Sequence, residues 1–558
     1  MMLKKYICLV VFLCFSLGYA GEGFAMHQQG IQVTQYQYQV PVLINKKDNP
    51  VLRIKVTVPA DMKPVQLDGV RLSAEGTDDL AEITAVRIYY YGTDSAAGAM
   101  NDLKQPLFGQ SAVSGDVIQV AGQRQLEAGD HFLWVSYELS PDASLDHRVA
   151  VKCISVTVDG RAVDAAAVAA PVRQRTGVAV RRHMQDGVHT ARIPGLARTN
   201  KGTLLAIFDA RHQSARDLQG DMDIGLHRST DGGQTWEPLQ ITMDMGEWGG
   251  LPQKFNGVSD ACVLVDRNSD AIYIAGLWMH GVINKDGEWI SGLNEASDDW
   301  NHQWRDKGSQ PGFGERQTSQ FLIVKSTDDG KTWEAPVNLT RMCKKEEWWL
   351  WAPAPGNGIT LDDGTLVFPT QGRDKDGQSF SNITYSTDGG QTWKTSNPAY
   401  SGTTECAVVQ LSDKSLMLNM RSGRNKGRLG GDNGRAIAVT RDLGQTWVEH
   451  PSSFNALPEP VCMASLYKHK YGANGQGASI LLFSNPDSRQ FRENITIKIS
   501  HDDGKTWPGE RRILLDEGRG RGYSCLTSVD DRHVGILYES SQADLVFQRI
   551  NIEDYMEQ

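Results

Sequence analysis

The sequence predicts an all-β protein in two parts, a six-bladed β-propeller over residues 180–550 preceded by a β-sandwich over residues 27–175. The first observation behind this is an eight-residue pattern, S/T-x-D-x-G-x-T-W, present at 229–236, 326–333, 386–393, 440–447 and 500–507. Its starts are 97, 60, 54 and 60 residues apart, and a period of that order marks an array of similar units. The second is a pattern of apolar run, polar turn and apolar run at 192–208, 260–275, 354–369, 405–420, 461–483 and 523–538. These hairpins alternate with the boxes, so six units of four strands result, the last without a recognisable box; four-stranded sheets repeated about an axis make a propeller. The third lies before residue 175, where boxes are absent and runs such as 51–58, 86–91 and 131–137 alternate in strand fashion between turn residues, as in a sandwich.

From the N-terminus onward, each segment has a physical reading. Lys4 and Lys5, an apolar run over 6–17 and the small residues ending at Ala20 compose a signal peptide, residues 1–20. The run is too short to span a bilayer and no later segment qualifies, so the protein is expected to be exported, to the periplasm or to the cell exterior. A chain of 558 residues exceeds one ordinary core. The alanine-rich stretch 162–170 is the expected link between the two parts. In each box, Ser or Thr followed by Asp and Gly is turn chemistry, and the Trp pins the turn to its sheet. Calcium binding by the box aspartates is the alternative, disfavoured because no box has the carboxylate count of a calcium loop. Six cysteines follow the leader, and Cys262, Cys406, Cys462 and Cys525 take nearly equivalent places in their units, which points to buried free thiols rather than disulfides. An insertion over 278–311 carries Trp289, Trp300 and Trp304, expected either to contact the rest of a substrate or to pack on the sandwich.

Propeller topology selects the residues that matter. The first strand of each unit starts, and the second ends, at one rim; the boxes, between strands three and four, lie at the other. The first rim collects Arg192, Asp209, Arg211, Asp217, Asp260, Arg373, Glu405, Arg421, Asn485, Arg489, Arg492, Tyr523 and Glu539. Charged rim residues ordinarily serve solubility. Arg192, Arg421 and Arg492, however, adjoin apolar strands, and three guanidinium forks about one point suit a carboxylate. The 57 basic and 67 acidic residues leave a net charge of −10, which excludes a nucleic-acid partner.

With Arg-Ile-Pro at 192–194, the repeated boxes, Gly-Tyr-Ser at 522–524 and Leu-Tyr-Glu at 537–539, residues 180–550 resemble the bacterial exo-α-sialidases (neuraminidases). The resemblance implies sialylated glycans as substrates, with Arg192, Arg421 and Arg492 holding the sialic acid carboxylate, Arg489 being the rival for the third place. It further implies Tyr523 as nucleophile, Glu405 as its base, and Asp217 as acid/base, with Asp223 as rival. Glu539 would orient Arg192, and Arg211 would contact substrate. Sialidases are an exception among glycosidases in using Tyr; a neutral phenol escapes repulsion by the carboxylate on the anomeric carbon. No His or Cys cluster of ligand spacing is present, so neither metal nor other cofactor is implied. The same residues suit a trans-sialidase or an intramolecular trans-sialidase, while a sialic-acid-binding lectin is disfavoured by the joint presence of Tyr523, Glu405 and Asp217. The N-terminal part would be carbohydrate-binding or a structural spacer.

Overall fold

The computed structural model describes residues 30–556 apart from 94–104, 219, 281, 287, 303–307 and 473–478. The expected leader and Trp304 lie outside the described residues. Among the described residues strands dominate, the one α-helix being the single turn Thr340–Cys343, and no helix is long and apolar enough to cross a membrane.

Two antiparallel sheets form the N-terminal part. One runs in the order Gln32–Gln37, Asn49–Val58, Gly129–Leu139, Ile83–Gly92, Leu107–Ser111; the other in the order Arg161–Asp164, Lys152–Val158, Val65–Ser73, Val117–Leu126. Period-two alternation places Ile54, Val56 and Val58 inside while Arg53, Lys55 and Thr57 face outward. The alanine-rich stretch is only partly a link, because its first residues form the edge strand Arg161–Asp164.

Six larger sheets follow, with a two-stranded one, Val282–Ile283 and Asn301–His302, in the insertion, and the composition of the six explains why boxes and hairpins alternate. Sheet 1 contains Thr190–Arg198, Leu204–Arg211, Met222–Ser229 and Gln240–Met243 in chain order. Sheets 2 to 5 occupy 258–338, 350–401, 403–449 and 465–516; Gly356–Asn357 adds a parallel strand to Val258–Val265 of sheet 2, and Ile359–Thr360 and Tyr400–Ser401 add short pairings to sheet 3. Sheet 6 takes Ser524–Ser528, His533–Tyr538 and Leu545–Asn551 from the end of the chain and its fourth strand, Arg173–Arg181, from before sheet 1; Val42–Ile44 of the N-terminal part pairs in parallel on the far side of that strand. That is why the last unit has no box: its fourth strand does not follow its third in sequence. Arg173–Arg181 also bridges the expected boundary, pairing through Arg173 to Arg175 with Arg148–Ala150 and through Val178 with Phe547. The inner strands meet in succession: Thr190–Arg198 packs on Val258–Val265, that strand on Leu350–Pro353 and Leu366–Arg373, the first two strands of sheet 3, Leu366–Arg373 on Thr403–Gln410, that strand on Ser465–Lys470, that on Ser524–Ser528, and the last on Thr190–Arg198. Sheet 3 departs from expectation by starting at Leu350, before a kink at Gly356, whose φ is 112°.

Every box is a turn between third and fourth strands. In the first, Ser229 Oγ donates to Asp231 at 2.8 Å, the Gly233 amide donates to Ser229 Oγ at 2.9 Å, and the Thr235 amide donates to Asp231 Oδ1 at 3.0 Å. The same pattern recurs around Asp328, Asp388, Asp442 and Asp502. The carboxylates are thus saturated by donors of their own turns. Boxes also join neighbouring sheets: Trp236 packs edge-on against Phe547 of sheet 6, Asp329 accepts from Thr203 and Arg228 of sheet 1, and Tyr273 of sheet 2 donates to the Gly389 carbonyl. All six cysteines are buried free thiols.

Among the described residues of the insertion, Val282, Leu293 and Trp300 form a small cluster with Leu251 and Phe255. Trp300 meets Phe255 edge-on at 4.5 Å, and Trp289 stays 41% exposed.

Candidate active site

Strand heads place the chemistry. In sheets 1, 2 and 4 the pairing of the first strand with the second skips at Arg192/Gly195, Ser259/Cys262 and Thr403/Cys406. Such bulges re-aim side chains, and here they present Arg192, Asp260 and Glu405 to one cleft of about 320 Å³. Ile193 and Asp260 take left-handed φ of 59° and 56°, a costly conformation for a β-branched residue. Ile193 is held there by its amide, which donates to Glu539 Oε1 at 3.0 Å, and by burial beside Tyr523.

At the floor of the cleft stands Tyr523, 6% exposed. Its hydroxyl donates to Glu405 and lies 3.1 Å from Arg421 Nη1, which also reaches Glu405 Oε2 at 2.6 Å. Arg192 and Arg492 stand over its ring, their guanidinium carbons 5.6 and 5.4 Å from the centroid. Burial, then Glu405, raise the Tyr523 pKa well above that of a free phenol, with Arg421 and Arg492 pulling the other way; the residue is a neutral phenol. Arg192 and Arg421 are buried, which disfavours their charge, but Glu539 and Glu405 respectively more than compensate and raise both.

Glu539, fully buried, ties this wall together. It accepts from Arg192 Nε at 2.5 Å and from the Tyr523 amide at 3.0 Å. Burial opposes its charge, yet Arg192 and the two amides hold its carboxyl below the ordinary range. It does not reach the cleft surface. Arg211 is likewise buried, paired with Asp209 at 2.8 Å and with Asp217, and stands behind Asp217 rather than on the cleft wall.

Asp217 lines the cleft with its side chain 55% exposed. Its neighbour Leu218, φ 48°, is buried among Leu277, Met279, Leu350 and Ala352, so the loop is anchored one residue from the carboxylate. Asp223 is absent from the cleft: it lies within Met222–Ser229 and accepts from His212 at 2.8 Å. Arg492 lines the cleft and Arg489 does not. Asn485, expected at the rim, turns away to Pro458 and Lys498.

The cleft also contains residues that rim logic undervalued. Asp260, 6% exposed, accepts from Gln371 at 3.3 Å; burial, then Glu405 and Asp209, raise its pKa above that of an ordinary carboxyl. Gln371 shares a strand face with the expected Arg373, two residues on, and period-two alternation would have found it. A larger opening of about 1010 Å³ lies at the opposite strand ends, around Asn357 and Lys468. Its size is no guide to chemistry: the charges that line it include the exposed Lys414–Asp362 pair, and Lys468 donates to the Gln410 carbonyl.

Comparison with known proteins bears on this arrangement. Residues 193–518 match the BNR repeat-like domain, and residues 28–162 match the N-terminal domain of BNR-repeat neuraminidase. A sialidase of Bacteroides fragilis is 38% identical, with 99% of each chain aligned; one of Clostridium perfringens is 29% identical over 63% of this chain and 86% of its own. Hadza microbial sialidase Hz136, a solved structure, superposes with a TM-score of 0.82 at 37% identity, covering 94% of this chain and 100% of that one. The two domain matches fall on the two sets of sheets, and the likeness to the full-length sialidases spans both; the chain belongs to the sialidase (neuraminidase) family of glycoside hydrolases.

Proposed function

We propose that the protein is a retaining exo-α-sialidase that releases terminal sialic acid from glycoproteins, glycolipids and oligosaccharides through Tyr523, on a six-bladed propeller formed by sheets 1 to 6. The observation that carries this reading is the Tyr523 hydroxyl, donating to Glu405 3.1 Å from Arg421, beneath two further arginines. The propeller is supported by the ring of inner-strand contacts and by the fourth strand of sheet 6, Arg173–Arg181, coming from before sheet 1.

The sugar carboxylate binds Arg192, Arg421 and Arg492, which orients the anomeric carbon over Tyr523 and offsets the anionic charge. Tyr523 Oη attacks that carbon while its proton passes to Glu405, because an unaided phenol of pKa near 10 is a poor nucleophile. The glycosidic C–O bond breaks as Asp217 protonates the leaving oxygen. Asp217, now a carboxylate, then takes a proton from water as the water attacks the same carbon, and Tyr523 departs with the proton from Glu405. Two displacements at one carbon give retention. The exposure of Asp217 suits a group that meets both the aglycone and the incoming water. The basic and apolar start of the sequence supports export.

Proton NMR of sialyllactose hydrolysis tests the reading: the α-anomer of free sialic acid is expected first, and Tyr523→Phe is expected to lose about 10³-fold or more in kcat while still binding sialic acid. No turnover by the wild type, or substantial activity in the variant, would refute it. A rearranged or transferred sialyl product would instead identify a trans-sialidase.

A further inference from the structure

Of the two arginines the sequence offered for one place, the cleft takes Arg492 and leaves Arg489 unused. Arg489 lines a second depression of about 840 Å³ that opens directly from the cleft, with Arg373, Ser379, Thr404 and Arg421 in the walls of both. Four cationic side chains, Arg373, Arg421, Lys426 and Arg489, line this depression and no carboxylate does, in a chain of net charge −10. Arg421 is engaged by Glu405, and Arg373 donates to the Gly377 carbonyl at 3.0 Å. The Arg489 and Lys426 side chains have no hydrogen-bond or ion-pair partner among the described residues. Other exposed cations nearby are paired, Arg428 with Asp432 and Arg519 with Glu493.

We infer that this depression is a subsite for an anionic sugar adjoining the sialic acid being released, with Arg489 and Lys426 holding its charge. The inference rests on the sialidase reading of the adjoining cleft. The cleft has room for the terminal sugar, and the residue linked to it leaves through the open mouth, where the depression begins. A neutral hexose has no use for two unpaired cations. A second sialic acid, bearing its own carboxylate, or a hexose bearing a sulfate ester presents the complementary anion, which a guanidinium accepts bidentately. Both cations are solvent-accessible, so the gain is modest and screened by salt.

The test compares kcat/KM of the full-length protein on 3′-sialyllactose, on its α2,8-disialylated form and on a galactose-sulfated form, at low salt and in added NaCl. One or both anionic substrates are expected to exceed sialyllactose by about three- to tenfold at low salt. The Arg489→Ala, Lys426→Ala double variant should lose that advantage, as should high salt, while turnover of sialyllactose is unchanged and so certifies the fold. Preference for the disialylated or the sulfated substrate tells which anion is taken. Equal values in the wild type, or an advantage that survives the double variant, overturn the subsite and leave the sialidase reading intact. Failure to release sialic acid from all three removes both.

Discussion

Glu539 shows how one buried carboxylate serves several residues at once. It accepts from Arg192, from the strained Ile193 amide and from the Tyr523 amide, so it sets a substrate-binding arginine and the proposed nucleophile in one frame. Removing one partner of a buried ion pair leaves the other charge unpaired and costs about 3–5 kcal/mol. Glu539→Gln keeps the shape but loses the charge and sets an amide against Arg192 or the two backbone donors. The expected result is a fall of about 10²-fold or more in kcat/KM with a lowered melting temperature, measured by steady-state kinetics and calorimetry; wild-type kinetics in this variant would show that Arg192 is oriented by something else. At this scale much of the site was legible, because Arg192, Glu405, Arg421, Arg492 and Tyr523 each sit at the end of an apolar strand, where a charge or a phenol must have a reason. Asp217 was legible by resemblance, its loop having no period to read. Asp260 was read as a rim residue but not as a member of the cleft, since only the bulge at Ser259/Cys262 turns it inward, and bulges leave no mark in an alternating sequence.

At the scale of the element, the boxes read as turns and the structure gives the reason in hydrogen bonds. The same bonds make the turns acid-sensitive. The Thr332 and Thr392 hydroxyls, foremost among the donors, hold Asp328 and Asp388 down to about 2, and for Asp442 the Thr446 amide leads to the same value. A carboxyl whose folded pKa lies below its unfolded value of about 3.9 is protonated first in the unfolded chain. The stability it contributes is therefore fully present above pH 4 and is lost as the pH falls towards 2. The melting temperature of the wild type is expected to drop steeply across that window. Asp328→Asn should melt about 2–4 °C lower at neutral pH, by analogy with a lost capping bond, and fall less on acidification, as a calorimetric series from pH 7 to pH 2 would record. Parallel slopes for the two proteins would mean that the box carboxylate is not the titrating group. What the sequence did not disclose is that each box is also a clasp: Trp236 on Phe547 and Asp329 on Arg228 tie one sheet to its neighbour, a long-range fact with no local signature.

For the whole molecule, the six four-stranded units were legible because boxes and hairpins alternate, and the all-β N-terminal part because its strands alternate between turns. The way the molecule ends was not, since the fourth strand of sheet 6 lies more than 340 residues before the three strands it completes, pairs on its far side with Val42–Ile44, and resembles any other strand. Arg173–Arg181 is buried along most of its length, and its Val178 shares one core with Leu537 and Phe547 of sheet 6 and with the N-terminal sheets. Without it, Leu545–Asn551 becomes an open edge with an uncovered apolar face, a template for aggregation. Two shortened chains separate the closing strand from the rest of the N-terminal part. A chain of residues 173–558 keeps the strand but loses its partners Val42–Ile44 and Arg148–Ala150, and is expected to fold cooperatively with a lower melting temperature while retaining sialic acid release within about threefold of the full chain, because the strand keeps its pairing with Leu545–Asn551 and the truncation is far from the site. A chain of residues 187–558 lacks the strand and is expected to aggregate or to show no cooperative transition by calorimetry, with no measurable turnover. Equal stability and activity in the two chains would show that sheet 6 does not depend on Arg173–Arg181 for closure.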